Sequence, residues 1–299
     1  MNINIEKFKK KYSRMVSENV SFSQITTIGI GGKINCFCEV NTLFQLKSVL
    51  RFLTKKKIPY QIVGNGSNIV GTDKGFDGVI IRLSGKFKKY KLRGKKAVFG
   101  AGLNLFRMNK ILADRGLCGM EFSFGIPASV GGAVAMNAGA FGDDFSNHVL
   151  WVFAIKNNKI VKFSNKKCQF SYRNSVFLKN KLIIISVCFK LNFDQTSKIL
   201  ERQNFNLDWR KRHQPYKERS AGSVFLRQGD FLPAKAIDQL NLKGFTMGGV
   251  QVSKIHAGFI INLGEATCQD FLNLLSYIKK EVYKRMGRQL SVEVKIMGD

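Results

Sequence analysis

The spacing of hydrophobic and polar residues changes from segment to segment along this chain, and the changes predict a protein that mixes helices and strands and begins with a β-α-β unit of the α/β type. Apolar residues three or four positions apart indicate helices, whereas strict alternation or a short apolar run indicates strands. The predicted helices cover residues 3–20, 43–57, 103–115, 234–240 and 267–286, with a further charged helix within 192–219. The predicted strands cover residues 34–40, 58–63, 78–83, 149–155, 160–163, 182–191 and 290–296, and residues 87–101 alternate as a hairpin.

The composition adds a strong positive charge to this pattern. Forty-nine Lys and Arg face 20 Asp and Glu among 299 residues, for a net charge of +29. The length allows two or three compact units of roughly 100 residues each. Such an excess predicts attraction to anions, and nucleic acid is one candidate. The basic residues are spread over many segments, however, whereas a nucleic-acid-binding protein usually concentrates them on one face or arm, so a surface on which lysine is the default solvated residue is favoured.

Cysteine spacing and hydropathy restrict the setting in which the protein works. The six cysteines form no zinc-binding pattern, so we expect no metal site. The first residues are polar and basic without an apolar core, unlike a secretory signal. The strongest apolar run, 182–189, is too short to span a bilayer. We therefore expect a cytoplasmic protein that does not bind membranes.

The loop after the strand at 58–63 is rich in glycine and in short polar side chains. It contains Gly64, Asn65, Gly66, Ser67 and Asn68. Glycines permit positive φ and close backbone approach, so such a loop can present N–H groups to a diphosphate. A tight turn without a ligand explains the same residues. The spacing matches neither the dinucleotide fingerprint of the Rossmann fold nor a P-loop.

A second segment, 125–142, is dense in Gly and Ala. Because each interior glycine destabilises a helix by about 1 kcal/mol relative to alanine, this density argues against a helix. Backbone without side chains can lie flat against a planar cofactor or its pyrophosphate. Close packing of two backbone segments is the alternative.

Taken in order, the motifs of this chain resemble those of the UDP-N-acetylenolpyruvoylglucosamine reductases. The resemblance covers roughly residues 22–298 and fits the subtype that lacks a Tyr-bearing loop in the substrate domain. The motifs that carry it are Thr27 to Gly32, Gly64 to Asn68, residues 119–133, Met136 to Ala140, Tyr172 to Ser175, Ser220 to Phe225, residues 249–262 and Val292 to Gly298. One departure is Ala128, which stands where the family usually has glycine and which would resist a positive φ.

The resemblance implies a fold and a cofactor. The fold is the FAD-binding fold of the vanillyl-alcohol-oxidase (PCMH) type. It would comprise two α+β subdomains at 1–83 and 84–193, and an α+β substrate-binding domain at 194–287. Residues 288–299 would return to the first subdomain. FAD would be held non-covalently by Gly64, Asn65, Gly66, Ser67, Asn68, Gly131, Gly132, Asn137, Ala138 and Gly139.

The resemblance also implies a reaction and three catalytic residues. NADPH would reduce the flavin, and the hydride would then pass to UDP-N-acetylglucosamine enolpyruvate, giving UDP-N-acetylmuramate for peptidoglycan synthesis. Arg173 would stabilise negative charge on the substrate carboxylate, because its planar fork matches a carboxylate. Ser223 would donate the proton. Glu293 would polarise the enolate or assist the proton relay.

Substrate contacts and competing functions stay open at this stage. Tyr172, Lys211, Arg212 and Arg227 are candidates to hold a UDP-sugar, although a solvated charge run explains the three basic residues equally well. We expect a monomer that does not bind nucleic acid. The alternatives are a related flavin oxidase acting on another sugar or alcohol and a basic, non-enzymatic nucleic-acid-binding protein.

Overall fold

The computed structural model describes residues 3–298, in which helices and strands are mixed along the chain as the pattern predicts. The helices are α1 Ile3–Lys11, α2 Phe22–Ile25, α3 Leu43–Lys55, α4 Leu105–Ala113, α5 Val130–Ala135, α6 Asn165–Cys168, α7 Val176–Lys179, α8 Thr196–His213, α9 Pro233–Gln239 and α10 Cys268–Met286. The strands are β1 Val16–Ser17, β2 Ile34–Val40, β3 Tyr60–Val63, β4 Ile69–Gly71, β5 Phe76–Leu83, β6 Tyr90–Arg93, β7 Lys96–Gly100, β8 Leu117–Cys118, β9 Gly139–Ala140, β10 Asp143–Asp144, β11 Val149–Lys156, β12 Lys159–Ser164, β13 Ile183–Lys190, β14 Asn192–Phe193, β15 Arg219–Ser223, β16 Thr246–Met247, β17 Val250–Val252, β18 Phe259–Asn262 and β19 Lys295–Met297. Short 3₁₀ turns are Ser13–Met15, Gly85–Lys88, Glu121–Ser123 and Phe145–Asn147.

The chain divides into two compact units, each assembled from separate stretches. The first unit comprises the residues up to 17, 36–65 and 78–209; the second comprises 18–35, 66–77 and the residues from 210 onward. Each unit has its own apolar core. Phe99, Phe145 and Phe189 are fully buried in the first, and Ile28 and Phe271 are fully buried in the second.

The first unit contains two larger sheets and the two-stranded pairs β9–β10 and β8–β14. One has the strand order β1-β2-β5-β3, with β3 and β5 parallel. The other is antiparallel in the order β12-β11-β13-β7-β6. Helix α3 begins with a reciprocal capping box. The side chain of Thr42 accepts the N–H of Gln45, and the side chain of Gln45 accepts the N–H of Thr42.

The second unit contains an antiparallel sheet in the order β15-β18-β17-β16 and the parallel pair β4 and β19. Helix α10 packs on the sheet through buried residues such as Phe271. Its first turn is capped by Thr267 and also by the distant carboxylate of Asp73, which accepts the N–H groups of Cys268 and Gln269. The negative charge of this carboxylate stabilises α10, because the N-terminal end of the helix dipole is positive.

Three predicted elements are wrong in extent or type. The helix predicted over 3–20 ends at Lys11, because residues 16–17 instead pair with β2 as β1. The strand predicted over 290–296 is reduced to β19, preceded by an isolated bridge between Val292 and Phe225. The glycine-rich segment does contain a helix, the six-residue α5. The division into domains at 83 and 193 stays a prediction.

Candidate active site

The two glycine-rich segments meet inside the first unit. A Cβ on Gly64 would clash with the Oγ of Ser129, which caps α5 by accepting the N–H of Gly132 at 3.3 Å. A Cβ on Gly131 would lie 2.8 Å from the Cβ of Ala101, and the N–H of Gly131 donates to the Ala101 carbonyl at 2.9 Å. A residue with a Cβ would therefore be too close to its neighbour at position 64 and at position 131. This close packing favours glycine at position 131, although glycine destabilises a helix. Gly132 is exposed.

The loop that follows Gly64 fits an anionic group. Gly66 has φ 70°, and a Cβ there would clash with the carbonyl oxygen of Ile25. Within residues 3–298, the N–H groups of Gly66 and Ser67 donate to no other group. Asn65 is exposed. Successive N–H groups without a protein acceptor can bind a phosphate, so the loop fits the diphosphate of a dinucleotide cofactor.

Ser223 is the last residue of strand β15 in the second unit. It pairs with Phe259, and the register shifts between Ser220 and Ser223. Gly222 has φ 79°, and its Cβ position lies 3.8 Å from the Ser67 carbonyl oxygen. The Ser223 side chain is exposed, and its hydroxyl bonds to no residue in 3–298. The hydroxyl is therefore available to a ligand.

Glu293 lies beside the strand that carries Ser223. Its N–H donates to the carbonyl of Val224 at 2.8 Å. Its own carbonyl accepts the side-chain amide of Asn68 at 3.3 Å, and the Asn68 carbonyl accepts the N–H of Lys295 at 3.1 Å. The second unit thus brings together the residues around Ser67 and Asn68, the end of β15 and the segment that bears Glu293.

Thr27 fixes the relation between two of these segments. Its hydroxyl donates to the Ser220 carbonyl at 2.7 Å, and its N–H donates to the Gly66 carbonyl at 3.2 Å. Sequence reasoning used Thr27 only as part of a motif. The feature of the sequence that could have identified this role of Thr27 is its position shortly before two glycines of that motif, Gly29 and Gly31.

Arg173 belongs to the first unit and lies at the tip of a two-residue turn. Ser171 and Asn174 exchange main-chain hydrogen bonds of 3.1 Å in both directions, which closes the turn. Arg173 has φ 51°, a left-handed conformation that costs a residue with a Cβ about 1–2 kcal/mol. Its Nη2 donates to the Gly139 carbonyl at 3.0 Å. The rest of the molecule holds Arg173 in this strained conformation, as is common at functional sites.

Residues 137–139 follow the end of α5 in a Schellman arrangement. Asn137 has φ 43°, and its N–H donates to the Val134 carbonyl at 3.1 Å. The N–H of Ala138 donates to the Ala133 carbonyl at 2.9 Å. Asn137 is buried, whereas Ala138 and Gly139 are partly exposed and can face a ligand.

The candidate substrate residues differ in exposure. Tyr172 is 54% exposed, with the guanidinium carbon of Arg173 5.2 Å from its ring centroid. Lys211 and Arg212 are exposed in the last turn of α8. Their neighbour Arg210 is buried, and burial lowers its pKa to about 10.

Arg227 lies in an exposed turn after β15. Its Nε donates to the Gly229 carbonyl at 2.8 Å, and its Nη2 lies 4.0 Å from the Asp230 carboxylate. These contacts leave a charged, accessible guanidinium. Binding of substrate by Arg227 stays a prediction.

Ala128 needs no adjustment of its loop. It is absent from the residues with positive φ, and its carbonyl accepts the N–H of Leu105 at 3.0 Å. The positive φ in this stretch falls on Gly125, at 88°. Alanine at position 128 is therefore compatible with the backbone.

Sequence reasoning missed Arg82, a cation inside the apolar strand β5. Its Nε donates to the Gly64 carbonyl at 3.2 Å, and its guanidinium carbon lies 5.0 Å from the ring centroid of Phe37. Burial lowers its pKa, although Glu39 acts in the opposite direction. A single arginine within an otherwise apolar strand is the feature of the sequence that could have indicated that Arg82 supports the loop at Gly64.

Two kinds of feature are absent from residues 3–298. No group of three or more His, Cys, Asp or Glu side chains could hold a metal ion. No helix is long and apolar enough to cross a membrane.

Comparison with protein families gives two matches. The family model described as UDP-N-acetylenolpyruvoylglucosamine reductase, C-terminal domain, matches residues 214–297. The model described as FAD binding domain matches residues 34–162. The predicted α+β fold with an FAD-binding domain is confirmed.

Comparison with individual proteins gives matches over nearly the whole chain. UDP-N-acetylenolpyruvoylglucosamine reductase of Anoxybacillus flavithermus is 36% identical over 285 residues, which cover 95% of this chain and 94% of the relative. The enzyme of the same name from Clostridioides difficile is 38% identical over 275 residues, covering 90% and 89%. The crystal structure of the Thermus caldophilus reductase superposes with a TM-score of 0.81 at 33% identity, covering 94% of this chain and 98% of that one.

Proposed function

Because the chain belongs to the UDP-N-acetylenolpyruvoylglucosamine reductase family, we propose that it reduces the enolpyruvyl group of UDP-N-acetylglucosamine enolpyruvate to give UDP-N-acetylmuramate. The chain is an FAD-dependent oxidoreductase. NADPH is the hydride donor in this proposal, and the product enters peptidoglycan synthesis. Family membership favours this reaction over a flavin oxidase or a nucleic-acid-binding protein. The cytoplasmic location and the monomeric state stay predictions.

The glycine-rich segments are the proposed FAD-binding residues. When bound, FAD would supply the hydride-transfer chemistry that links NADPH to the enolpyruvyl methylene carbon. The loop from Gly64 to Asn68 would hold the diphosphate through the N–H groups that have no protein acceptor. Gly132 is exposed and Ala138 and Gly139 are partly exposed, so their backbone would be open to the cofactor.

Arg173 is the proposed partner of the substrate carboxylate. Addition of hydride to the methylene carbon leaves negative charge on the neighbouring carbon, and that charge delocalises into the carboxylate. A guanidinium fixed by its bond to the Gly139 carbonyl stabilises this charge without having to reorganise during the reaction. The planar fork of a guanidinium matches the geometry of a carboxylate.

Ser223 is the proposed proton donor to the carbon that carries this charge. A serine hydroxyl is a weak acid, so it can act only on a strongly basic centre such as this carbon. Its hydroxyl is exposed and bonds to no residue in 3–298, so it can point at a ligand. Glu293, on the adjoining segment, would polarise the enolate or pass on the proton.

The observation that carries the proposal is the pairing in the second unit. The 2.8 Å bond from Glu293 N–H to the Val224 carbonyl holds the acid's backbone against the strand that presents a free serine hydroxyl. In the proposal, the two side chains converge on the substrate from these neighbouring backbones, as proton delivery would require.

The test uses the full chain loaded with FAD under anaerobic conditions. NADPH should bleach the flavin absorbance, and UDP-N-acetylglucosamine enolpyruvate should restore it while the substrate gains a hydride and a proton by mass. UDP-N-acetylglucosamine, which lacks the enolpyruvyl group, is the matched control and should leave the flavin reduced. Flavin that stays reduced with the enolpyruvyl substrate would refute the proposal.

A further inference from the structure

Both ends of the Asn137 side-chain amide form hydrogen bonds inside the protein. Asn137 is 3% exposed. Its Oδ1 accepts the N–H of Ser146 at 2.9 Å, and its Nδ2 donates to the Ser171 carbonyl at 3.2 Å. These partners, a donor and an acceptor, fix which end of the amide is which. The amide therefore joins the end of α5 to the turn that carries Arg173.

Backbone geometry alone does not explain why asparagine stands at this position. Asn137 lies at the left-handed residue of a Schellman arrangement, where glycine is the favoured residue because it has no Cβ. Asparagine tolerates the conformation less well than glycine. The property that asparagine adds is the pair of side-chain hydrogen bonds.

Ser175 forms a second connection between the same two segments. It is fully buried, and its Oγ donates to the Ala135 carbonyl at 2.6 Å. Its N–H donates to the side chain of Asn174 at 2.8 Å. With the bond from Arg173 to the Gly139 carbonyl, three side chains tie the turn at 171–175 to the segment at 135–139.

We propose that Asn137 and Ser175 are positioning residues that hold the Arg173 turn in its strained conformation and so aim the guanidinium at the substrate. The inference rests on the proposed function, since it needs Arg173 to act on the substrate. Neither side chain has to touch cofactor or substrate. Asn137 was predicted from sequence to bind the cofactor; here its amide acts through Arg173.

Asn137→Gly is the decisive variant because it keeps a residue suited to positive φ and removes only the two side-chain bonds. Asn157→Gly is the matched control. Asn157 also has a positive φ, 50°, but it lies exposed in the turn between β11 and β12. Ser175→Ala tests the second connection, and carries the test if Asn137→Gly fails to hold flavin.

The measurement separates the two half-reactions of the FAD-loaded chain by anaerobic stopped flow. Misplacing a reacting group by about 1 Å can cost about 100-fold, so reoxidation of reduced flavin by the enolpyruvyl substrate should slow about 10- to 100-fold in both variants. Reduction by NADPH should match wild type, as should both half-reactions in Asn157→Gly. A loss of folding or flavin would instead impair both half-reactions.

A double-mutant cycle with Arg173→Ala decides whether the effect passes through Arg173. If Asn137 acts only by positioning, Asn137→Gly should add no further loss to Arg173→Ala. Independent losses that multiply, or wild-type reoxidation in both Asn137→Gly and Ser175→Ala, would overturn the inference. Wild-type reoxidation in Arg173→Ala would overturn the proposed role of Arg173 itself, and the inference with it; the single variant reveals that case.

Discussion

Arg173→Lys tests whether the reaction needs a guanidinium fork or only a positive charge. Lysine keeps the charge, but it offers a compact ammonium in place of a planar fork. Both residues have a Cβ, so the cost of the left-handed φ of 51° is common to both proteins and cancels in the comparison. The substitution therefore isolates hydrogen-bond geometry.

The size of the expected effect follows from the bonds that lysine cannot make. A lysine ammonium can donate to a carbonyl, but it lacks the rigid fork that in the native chain fixes the direction of the 3.0 Å bond to the Gly139 carbonyl. It also loses the two-point contact with a carboxylate. A hydrogen bond involving a charged group contributes about 1.5–3 kcal/mol, which corresponds to about 10- to 200-fold in rate. We expect the reoxidation of flavin by the enolpyruvyl substrate to slow by that factor.

The assay is anaerobic stopped flow on the FAD-loaded variant, followed at the absorbance band of oxidised flavin. Arg93→Lys, an exposed position on β6 in the same unit, is the matched control and should behave as wild type. Arg173→Ala should be slower than Arg173→Lys, because it also lacks the charge. If Arg173→Lys reoxidises at the wild-type rate, the argument from fork geometry is wrong.

Three further predictions test other parts of the molecule. Ser223→Ala should lower turnover by about 10²–10⁴-fold, the usual contribution of a positioned acid, and near-normal turnover would remove Ser223 from the mechanism. Burial raises the pKa of Cys118, as do nearby carboxylates, yet it is the one cysteine of the six that is not buried, so a thiol reagent at pH 8 should modify it first and Cys118→Ser should abolish that fast phase. Burial raises the pKa of Asp143, but hydrogen bonds from Asn147 and His148 outweigh it, and the net effect lowers the pKa of Asp143 below its usual value. A group with a lowered pKa stabilises the fold at pH values above its unfolded-state pKa, and this contribution is lost as the pH falls through its folded-state pKa. The difference in urea midpoint between wild type and Asp143→Asn should therefore be present at pH 7 and shrink below about pH 4, and a difference that grows as the pH falls below about 4 would contradict this.

Local signals predicted the regular elements well. The capping residue Thr42 and the apolar spacing placed the predicted helix 43–57 within two residues of α3, and the prediction for 267–286 differs from α10 by one residue. The alternation at 87–101 correctly predicted the β6–β7 hairpin. In each case the information lies within one turn or one strand pair, so it can be read without tertiary contacts.

The errors lie where distant segments decide the local conformation. Gly131 lies within α5 at a place where a Cβ would come 2.8 Å from the Cβ of Ala101, and nothing in residues 125–142 reveals that partner. Ser223 extends a strand because it pairs with Phe259, which lies 36 positions away along the chain. The second unit draws residues 18–35 and 66–77 to the stretch from 210 onward, and no local pattern marks such discontinuous stretches.

The positions of the candidate catalytic residues were predictable only through the resemblance. The local sequence around Arg173 and Glu293 predicts ordinary surface residues, the first in a turn and the second near a strand. The left-handed φ of Arg173 and the bond from Glu293 to Val224 emerge only with the tertiary fold. Their roles stay proposals until the variants are measured.

Packing within the protein favours glycine at Gly64 and Gly131, independently of any contact with a cofactor. A side chain at Gly64 would displace Ser129 from the start of α5, and one at Gly131 would press on Ala101. Such a change would move the segment 135–139 that follows α5, and the turn of Arg173 is bonded to that segment through Ser175 and Asn137. The glycines and the Arg173 turn are therefore structurally coupled. The glycines allow α5 to approach its neighbours, and the position of the Arg173 turn depends on where α5 ends.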